Sequence, residues 1–334
     1  CGWLGEVYGW SWGFGAAGVG MLLGLIVFQW GQSSLLGHGE PEHPERLKQG
    51  VGIPGMNIEW AIYAGSFLMV AVVWQLVQLS DTVGTLLDVL SLTVLSGLGW
   101  FLLFRCTKVE RERMFVLILL TLSTVVFWAL FEQGAGSMTL YADRVTDKTL
   151  FGITLTAAQF GAANSFFIFS LAPLFAMLWI RLGRRGWEPS TPVKFSLGIA
   201  QAGLGFGALV YGAQFPDQAG VVSAWWLIVA YLLHTTGELC LSPVGLSAVT
   251  KLAVPSVVGV MMGTWFLASA YSSYVAAQIA TIAARPANES SLNLTDTLSG
   301  YTELFSQLLT IGLAGGAVLL VLSPVLKRMM HGVR

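Results

Sequence analysis

Nine apolar stretches, each about 20 residues long or longer, dominate this chain and restrict what it can fold into. A run of this length is what an α-helix needs to cross the hydrocarbon core of a bilayer. Strands of a membrane barrel would alternate between polar and apolar residues over about ten positions, and these stretches do not. The sequence therefore predicts an all-α polytopic membrane protein. The nine stretches are 11–30, 60–79, 83–104, 114–136, 151–180, 193–215, 221–250, 257–283 and 304–326.

Composition supports a membrane protein and excludes several functional classes. Charged residues make up 10% of the chain and hydrophobic residues 55%, whereas about 25% of the residues in a soluble domain are charged. The net charge of -1 gives no sign of the basic patch that nucleic-acid binding requires. Cys1, Cys106 and Cys240 lack metal-binding spacing and are interpreted as free thiols. We expect a non-enzymatic protein in a lipid bilayer, without nucleic acid, metal or cofactor.

Lys and Arg residues predict which helix ends face the cytoplasm. If the first stretch ends inside, every Lys and Arg except Arg144, Lys148 and Arg285 falls in an inner loop or tail. This asymmetry is what the positive-inside rule describes. We therefore expect a multi-pass inner-membrane protein with a cytoplasmic C-terminus.

The connections between stretches differ in length and composition. Residues 31–57 are rich in Gly, Pro and charge, and are predicted to be a linker. Only residues 80–82 join the second and third stretches, which predicts a tight antiparallel hairpin. The glycines Gly20 and Gly24, and the run Gly203, Gly205 and Gly207, are typical of close helix packing.

Two glutamates lie inside apolar stretches, Glu132 in FWALFEQ and Glu238 in LLHTTGELCLSPVGL. A charge at bilayer depth costs roughly 2.5 to 3.5 kcal/mol on insertion scales, so it is retained mainly where it faces an internal cavity. Trp128 precedes Glu132 by one turn, and His234 precedes Glu238 by one turn, so each pair should share a helix face. Pro243 leaves a nearby backbone carbonyl unpaired, which is tolerated beside protein or water. This pattern is typical of a polar site near the bilayer midplane.

Three motifs resemble those of one transporter family, the proton-dependent oligopeptide transporter (POT) family of the major facilitator superfamily. FWALFEQ resembles its seventh-helix signature, GELCLSPVGLSAVTKLA its tenth-helix signature, and GVMMGTWFLASAYSSYVA the start of its eleventh helix. The resemblance implies a major facilitator fold and covers essentially the whole chain. The first five helices of that fold would lie outside this chain and form its partner bundle.

The same resemblance assigns each part of the chain to the family fold. Residues 1–30 would be the last helix of the N-terminal bundle and residues 31–57 a cytoplasmic linker. Residues 58–105 would be an inserted transmembrane hairpin, and residues 106–334 the C-terminal six-helix bundle.

The resemblance also implies proton-coupled symport of short peptides, namely di- and tripeptides, by alternating access. Glu238 would receive the amino terminus of the peptide, assisted by the amide of Asn164, and Glu132 would carry the coupling proton. The other positions that match the peptide pocket are Trp128, Trp265 and Ser269. One departure from the family pattern is the Gly-Ala-Gly-Ser sequence after Gln133, which is expected to loosen that helix.

The residues by themselves leave other interpretations open. Glu132 and Glu238 could be structural acids, Asn164 an interhelical hydrogen-bonding residue, and Trp128 and Trp265 interfacial or core residues. The carrier could transport another small solute, such as nitrate or an amino-acid derivative. The chain could also be a non-transport membrane subunit. A haem held by paired histidines is excluded, because only one histidine lies at membrane depth.

Overall fold

The computed structural model describes residues 1–35, 37, 41, 43–52, 56–284 and 293–333. Within these residues the chain forms twelve α-helices and four two-residue strands. Eight helical segments are long and apolar enough to cross a membrane. The prediction of an all-α polytopic membrane protein is therefore confirmed. Arg285 and Arg334, two of the cations used to assign orientation, lie outside the described residues.

The chain divides into two units, residues 1–90 and 91–334, with the boundary inside the fifth helix. In the first unit, α4 has no buried residue, which suits a helix surrounded by lipid. Helix α4 ends at Val77 and α5 begins at Ser80, so the short connection expected between the second and third stretches is present. The helices that begin in this unit are α1 (Gly2–Tyr8), α2 (Trp10–Gly31), α3 (Pro44–Leu47), α4 (Ile58–Val77) and α5 (Ser80–Phe104).

The second unit contains seven further helices and all four strands. Its helices are α6 (Lys108–Phe131), α7 (Ser137–Val145), α8 (Ala162–Arg184), α9 (Thr191–Gly212), α10 (Ala224–Leu252), α11 (Val258–Ala284) and α12 (Leu294–Met329). Strand β1 (Thr146–Asp147) pairs in parallel with β4 (Val222–Ser223), and β2 (Thr149–Leu150) pairs antiparallel with β3 (Ile153–Thr154).

One of the predicted apolar stretches needs correction. The stretch 151–180 does not begin as a helix, because Phe151 and Gly152 have φ angles of 52° and 79° and form the turn between β2 and β3. Helix α8 begins only at Ala162. The sequence did not indicate this start, because a short apolar run looks the same in a strand and in a helix. The stretch 257–283 does form a 27-residue helix, α11. Because of its Ser, Thr and Tyr residues, α11 is less apolar than the eight segments counted above.

Glycines allow α9 to approach its neighbours closely. A Cβ atom added to Gly203 would lie 2.9 Å from the Cα of Gly312 in α12. A Cβ atom added to Gly205 would overlap the His234 ring of α10, and one on Gly207 would lie 3.2 Å from a side-chain atom of Leu309. The predicted close packing of Gly203, Gly205 and Gly207 is confirmed, and it fixes α9 between α10 and α12.

The same prediction for Gly20 and Gly24 is not tested by the described residues. A Cβ atom added to either glycine of α2 would meet no atom of this chain within 4 Å. Close packing at these two positions stays a prediction.

Candidate functional site

Glu238 lies at the middle of α10, and its side chain is partly exposed. The third residue of α8, Asn164, faces it. The Asn164 Nδ2 group donates to Glu238 Oε2 at 3.4 Å and to Thr235 Oγ1 at 3.0 Å. Two residues that are 74 positions apart in the sequence are thus brought together.

Thr235 is a site residue that sequence reasoning missed. Its hydroxyl donates to the Tyr231 carbonyl at 2.7 Å, so toward Asn164 the same oxygen acts as an acceptor. Both amide protons of Asn164 are then directed at α10, so its Oδ1 atom points away from Thr235 and Glu238. Among the described residues, no donor is bonded to that oxygen. The only sequence signal for Thr235 was its position three residues before Glu238, which puts the two side chains on one helix face.

Glu132 is exposed and lies where α6 ends. The helix stops at Phe131, a 3₁₀ turn covers Glu132–Gly134, and α7 begins at Ser137. The loosening expected from the glycines after Gln133 is therefore observed as a helix break. The carboxylates of Glu132 and Glu238 lie close enough to interact electrostatically, so the structure brings both membrane-depth acids to one region.

Gln133 fixes this break to its surroundings. Its side chain is fully buried, and Nε2 donates to the Ala276 carbonyl of α11 at 3.0 Å. Its Oε1 accepts a hydrogen bond from the Ser137 hydroxyl at 2.8 Å. From the other side, the Tyr231 hydroxyl of α10 donates to the Gly134 carbonyl at 2.9 Å. The turn that carries Glu132 is therefore held by α10 and α11 although the helix is interrupted.

Trp128 is partly buried, one turn before Glu132. Its ring makes edge contacts with Phe127 and Phe131 of the same helix, each at a centroid distance of 5.3 Å. The indole Nε1 is enclosed and has no hydrogen-bond partner among the described residues. Its assignment to the peptide pocket stays a prediction.

Trp265 and Ser269 lie one turn apart on α11. Trp265 is 4% exposed, and its ring occupies the space where a Cβ atom of Gly245 would be. Gly245 follows Glu238 by seven residues, which is about 10 Å along a helix. The Ser269 hydroxyl donates to the Trp265 carbonyl at 3.3 Å. A pocket-lining role for these two residues also stays a prediction.

His234 does not share the open environment of Glu238. It is 1% exposed and packs edge-on against Phe206 of α9 at a centroid distance of 5.0 Å. A Cβ atom added to Gly205 of α9 would overlap the same ring. His234 therefore lies in the α9 contact, and the expectation that it shares the open face of Glu238 is wrong.

Cysteine and other metal-binding side chains form no cluster in the described part of the chain. Cys106 and Cys240 are buried free thiols and Cys1 is an exposed one. No group of three or more His, Cys, Asp or Glu residues there is close enough to hold a metal ion. The candidate site therefore consists of carboxylates, an amide and a hydroxyl.

Comparison with known proteins identifies relatives of the whole chain. The uncharacterized transporter YclF of Bacillus subtilis (strain 168) is 38% identical over 334 residues, which covers 99% of this chain and 64% of YclF. The peptide transporter YePEPT of Yersinia enterocolitica subsp. palearctica serotype O:3 (strain YE-P4) is 34% identical, over 83% of this chain and 56% of that protein. The chain thus spans less than two thirds of the length of these relatives.

Solved structures and family patterns agree with this result. The crystal structure of a peptide transporter POT in complex with sulfate matches with a TM-score of 0.74 and 31% identity. The match covers 99% of this chain and 65% of that structure. The POT family pattern itself matches residues 1–298. Because the family pattern, the relatives and the fold all agree, this chain belongs to the POT family of membrane transporters.

Proposed function

We propose that this chain is the C-terminal part of a proton-coupled symporter for di- and tripeptides. Membership of the POT family supports this, as does the similarity to YePEPT, which is named a peptide transporter. Relatives extend beyond the region that this chain matches, which is consistent with N-terminal helices that would supply a second bundle. Major facilitator proteins work by rocking one bundle against the other around a midplane site.

The binding step uses Glu238 and Asn164. The single observation that carries the proposal is the Asn164–Glu238 hydrogen bond on a partly exposed, membrane-depth carboxylate. A peptide ammonium group would donate to the Glu238 carboxylate, which the Asn164 amide holds in place through its hydrogen bond to Oε2. A charge-assisted bond of this kind is about twice as strong as a neutral one.

The coupling step uses Glu132. Protonation of this exposed acid removes one of two interacting negative charges, and an ammonium group on Glu238 compensates the other. The site then carries little net charge, which lowers the cost of enclosing it between two bundles. In this proposal Trp128, Trp265 and Ser269 line the space for the remainder of the peptide.

The proposed orientation follows from the cations. The Lys and Arg residues concentrated at one set of helix ends would face the cytoplasm, with the C-terminus on that side of the inner membrane. Residues 31–57 would then be a cytoplasmic linker and residues 58–105 an inserted hairpin.

The test uses the full-length transporter that contains this chain, reconstituted in liposomes. An imposed proton gradient should drive accumulation of a labelled dipeptide. Glu132→Gln should abolish that accumulation while exchange at equal pH on both sides persists, because glutamine is nearly isosteric but does not titrate. The matched control is Glu303→Gln, an exposed glutamate of α12.

Three outcomes would contradict the proposal. Accumulation of dipeptide by the Glu132→Gln protein would remove Glu132 from proton coupling. Uptake of nitrate instead of dipeptide would show that the substrate is wrong. Gradient-driven uptake of neither would favour a non-transport membrane subunit.

A further inference from the structure

A cavity lies at the ends of three helices of the second unit. It has a volume of about 560 Å³ and is formed by the segment before α9, the start of α9 and the end of α12. A neighbouring cavity of about 320 Å³ continues it along α10. The two share Glu188, Thr191, Lys194, Met330 and Val333, so they form one cleft, which we call the α9–α12 cleft.

The α9–α12 cleft carries an excess of positive charge. Lys194 is buried, and its Nζ lies 2.6 Å from Glu188 Oε1 and 4.5 Å from the centre of the Trp179 ring. These contacts balance Glu188, the one acid among the described residues that line the cleft. Lys327 and Arg328, in the last turn of α12, are exposed and have no ion-pair partner among the described residues. Two cations at the cavity are thus available to an anion.

The start of α9 adds partial positive charge beside these cations. Ser190 is the N-cap, but its side chain makes no capping hydrogen bond. The first turn of a helix leaves its amide groups without intrahelical partners and has a partial positive charge. Pro192 in this turn carries no N–H, but Ser190 and Thr191 line the cavity, so the positive end of α9 and the cations of α12 border one space. Such a combination suits a phosphate group.

The other end of the α9–α12 cleft is mixed in character. Val244, Ala248 and Leu252 of α10 line the smaller cavity beside Ser247 and Lys251 of the same helix. A phospholipid can place its glycerol backbone and acyl chains along the apolar residues, whereas a free phosphate ion makes no use of them. The cations gathered at these helix ends also match the anionic inner leaflet of a cell membrane.

We propose that the α9–α12 cleft binds an anionic phospholipid, with its headgroup phosphate between Lys327, Arg328 and the start of α9. The acyl chains would leave the cleft along the apolar residues of α10. This site is separate from the proposed peptide site, and its test does not depend on proton coupling.

The experiment measures lipid binding to the purified full-length transporter by native mass spectrometry. Wild-type protein titrated with phosphatidylglycerol and phosphatidylcholine should bind one phosphatidylglycerol in clear preference. Lys327→Gln with Arg328→Gln should weaken that binding about 30-fold, because each cation near an anionic lipid raises the affinity by a factor of about five to six. The charge-conserving exchange Lys327→Arg with Arg328→Lys should keep it.

Controls separate this cleft from general surface attraction and from free anions. Arg46→Gln with Lys48→Gln removes the same charge from exposed positions outside the cleft and should leave the preference unchanged. An equal loss in this control pair, or no loss in the Lys327 and Arg328 pair, would overturn the proposal. Tight binding of inorganic phosphate at matched ionic strength, without preference for phosphatidylglycerol, would show a free-anion site instead and overturn the lipid assignment.

Discussion

Helix α10 packs tightly on the side of α9 and stays open on the side of α8. Toward α9, a Cβ atom added to Gly237 would lie 2.7 Å from the Gly198 carbonyl, so the two backbones are in contact. Toward α8, Glu238 remains partly exposed, and none of the residues Ala162–Arg184 is buried. The distance of the neighbouring helix therefore decides whether a polar residue of α10 is a structural residue or is available to a ligand.

Adjacent threonines of α10 contact one neighbour each, although their own burial does not follow this contrast, because Thr235 is fully buried and Thr236 is partly buried. Thr236 donates to Gln201 Oε1 of α9 at 2.7 Å. Thr235 accepts from Asn164 of α8 at 3.0 Å, beside the Glu238 carboxylate. The residue type is identical and the helix is the same, so the function of each hydroxyl depends only on which neighbour it meets.

The largest expected effect comes from forcing the packed side apart. Gly237→Leu should destabilise the protein by about 3 kcal/mol or more, because the added side chain would overlap the Gly198 backbone, which cannot move aside as a side chain can. Thermal unfolding in detergent measures this loss. The matched control is Gly263→Leu in α11, where an added Cβ atom would meet nothing within 4 Å among the described residues. Equal stability of the two variants would show that the close contact of α9 and α10 does not matter.

The next effect concerns the open side. Glu238→Gln should weaken dipeptide binding about 10- to 100-fold, because a charge-assisted bond worth about 1.5 to 3 kcal/mol becomes a neutral one. Stability should change little, since the carboxylate is partly exposed. Calorimetric titration of the full-length transporter measures the affinity.

Acetylated peptides provide the control for this substitution. A peptide without a free amino terminus should bind weakly to both proteins, with little difference between them. Unchanged dipeptide affinity in the Glu238→Gln protein would remove Glu238 from the site. An equal loss for acetylated peptides would show that the amino group is not its partner.

Apolar length and family motifs predicted most of the helices and the residues that meet at the site. Membrane helices can be predicted from sequence because the thickness of the bilayer sets the length of their apolar stretches. The start of α8 could not be predicted, since no charged residue or Pro separates the turn at Phe151 and Gly152 from the helix. The bond from Gln133 to Ala276 was equally hidden, because its acceptor is a backbone carbonyl that every residue carries.

The two threonines mark the limit of sequence reasoning about the site. They are neighbours with the same side chain, and no periodic pattern shows which of them meets α8. A helix turns by about 100° per residue, so adjacent side chains point toward different neighbours. Only the packing of α9 against α10, fixed by Gly198 and Gly237, determines that Thr235 is the one beside Glu238.

The smallest expected effect comes from exchanging these threonines one at a time. Thr235→Val removes the acceptor that holds the Asn164 amide, so Asn164 loses its fixed orientation toward Glu238. A lost hydrogen bond is worth about 0.5 to 1.5 kcal/mol, which corresponds to a roughly 2- to 10-fold weaker affinity for a dipeptide. Thr236→Val makes the same chemical change on the side of α9, where it should lower stability by a similar free energy and leave peptide affinity unchanged. Measuring both quantities for both variants tests the contrast directly: if Thr236→Val also weakens peptide binding, the two sides of α10 are not independent.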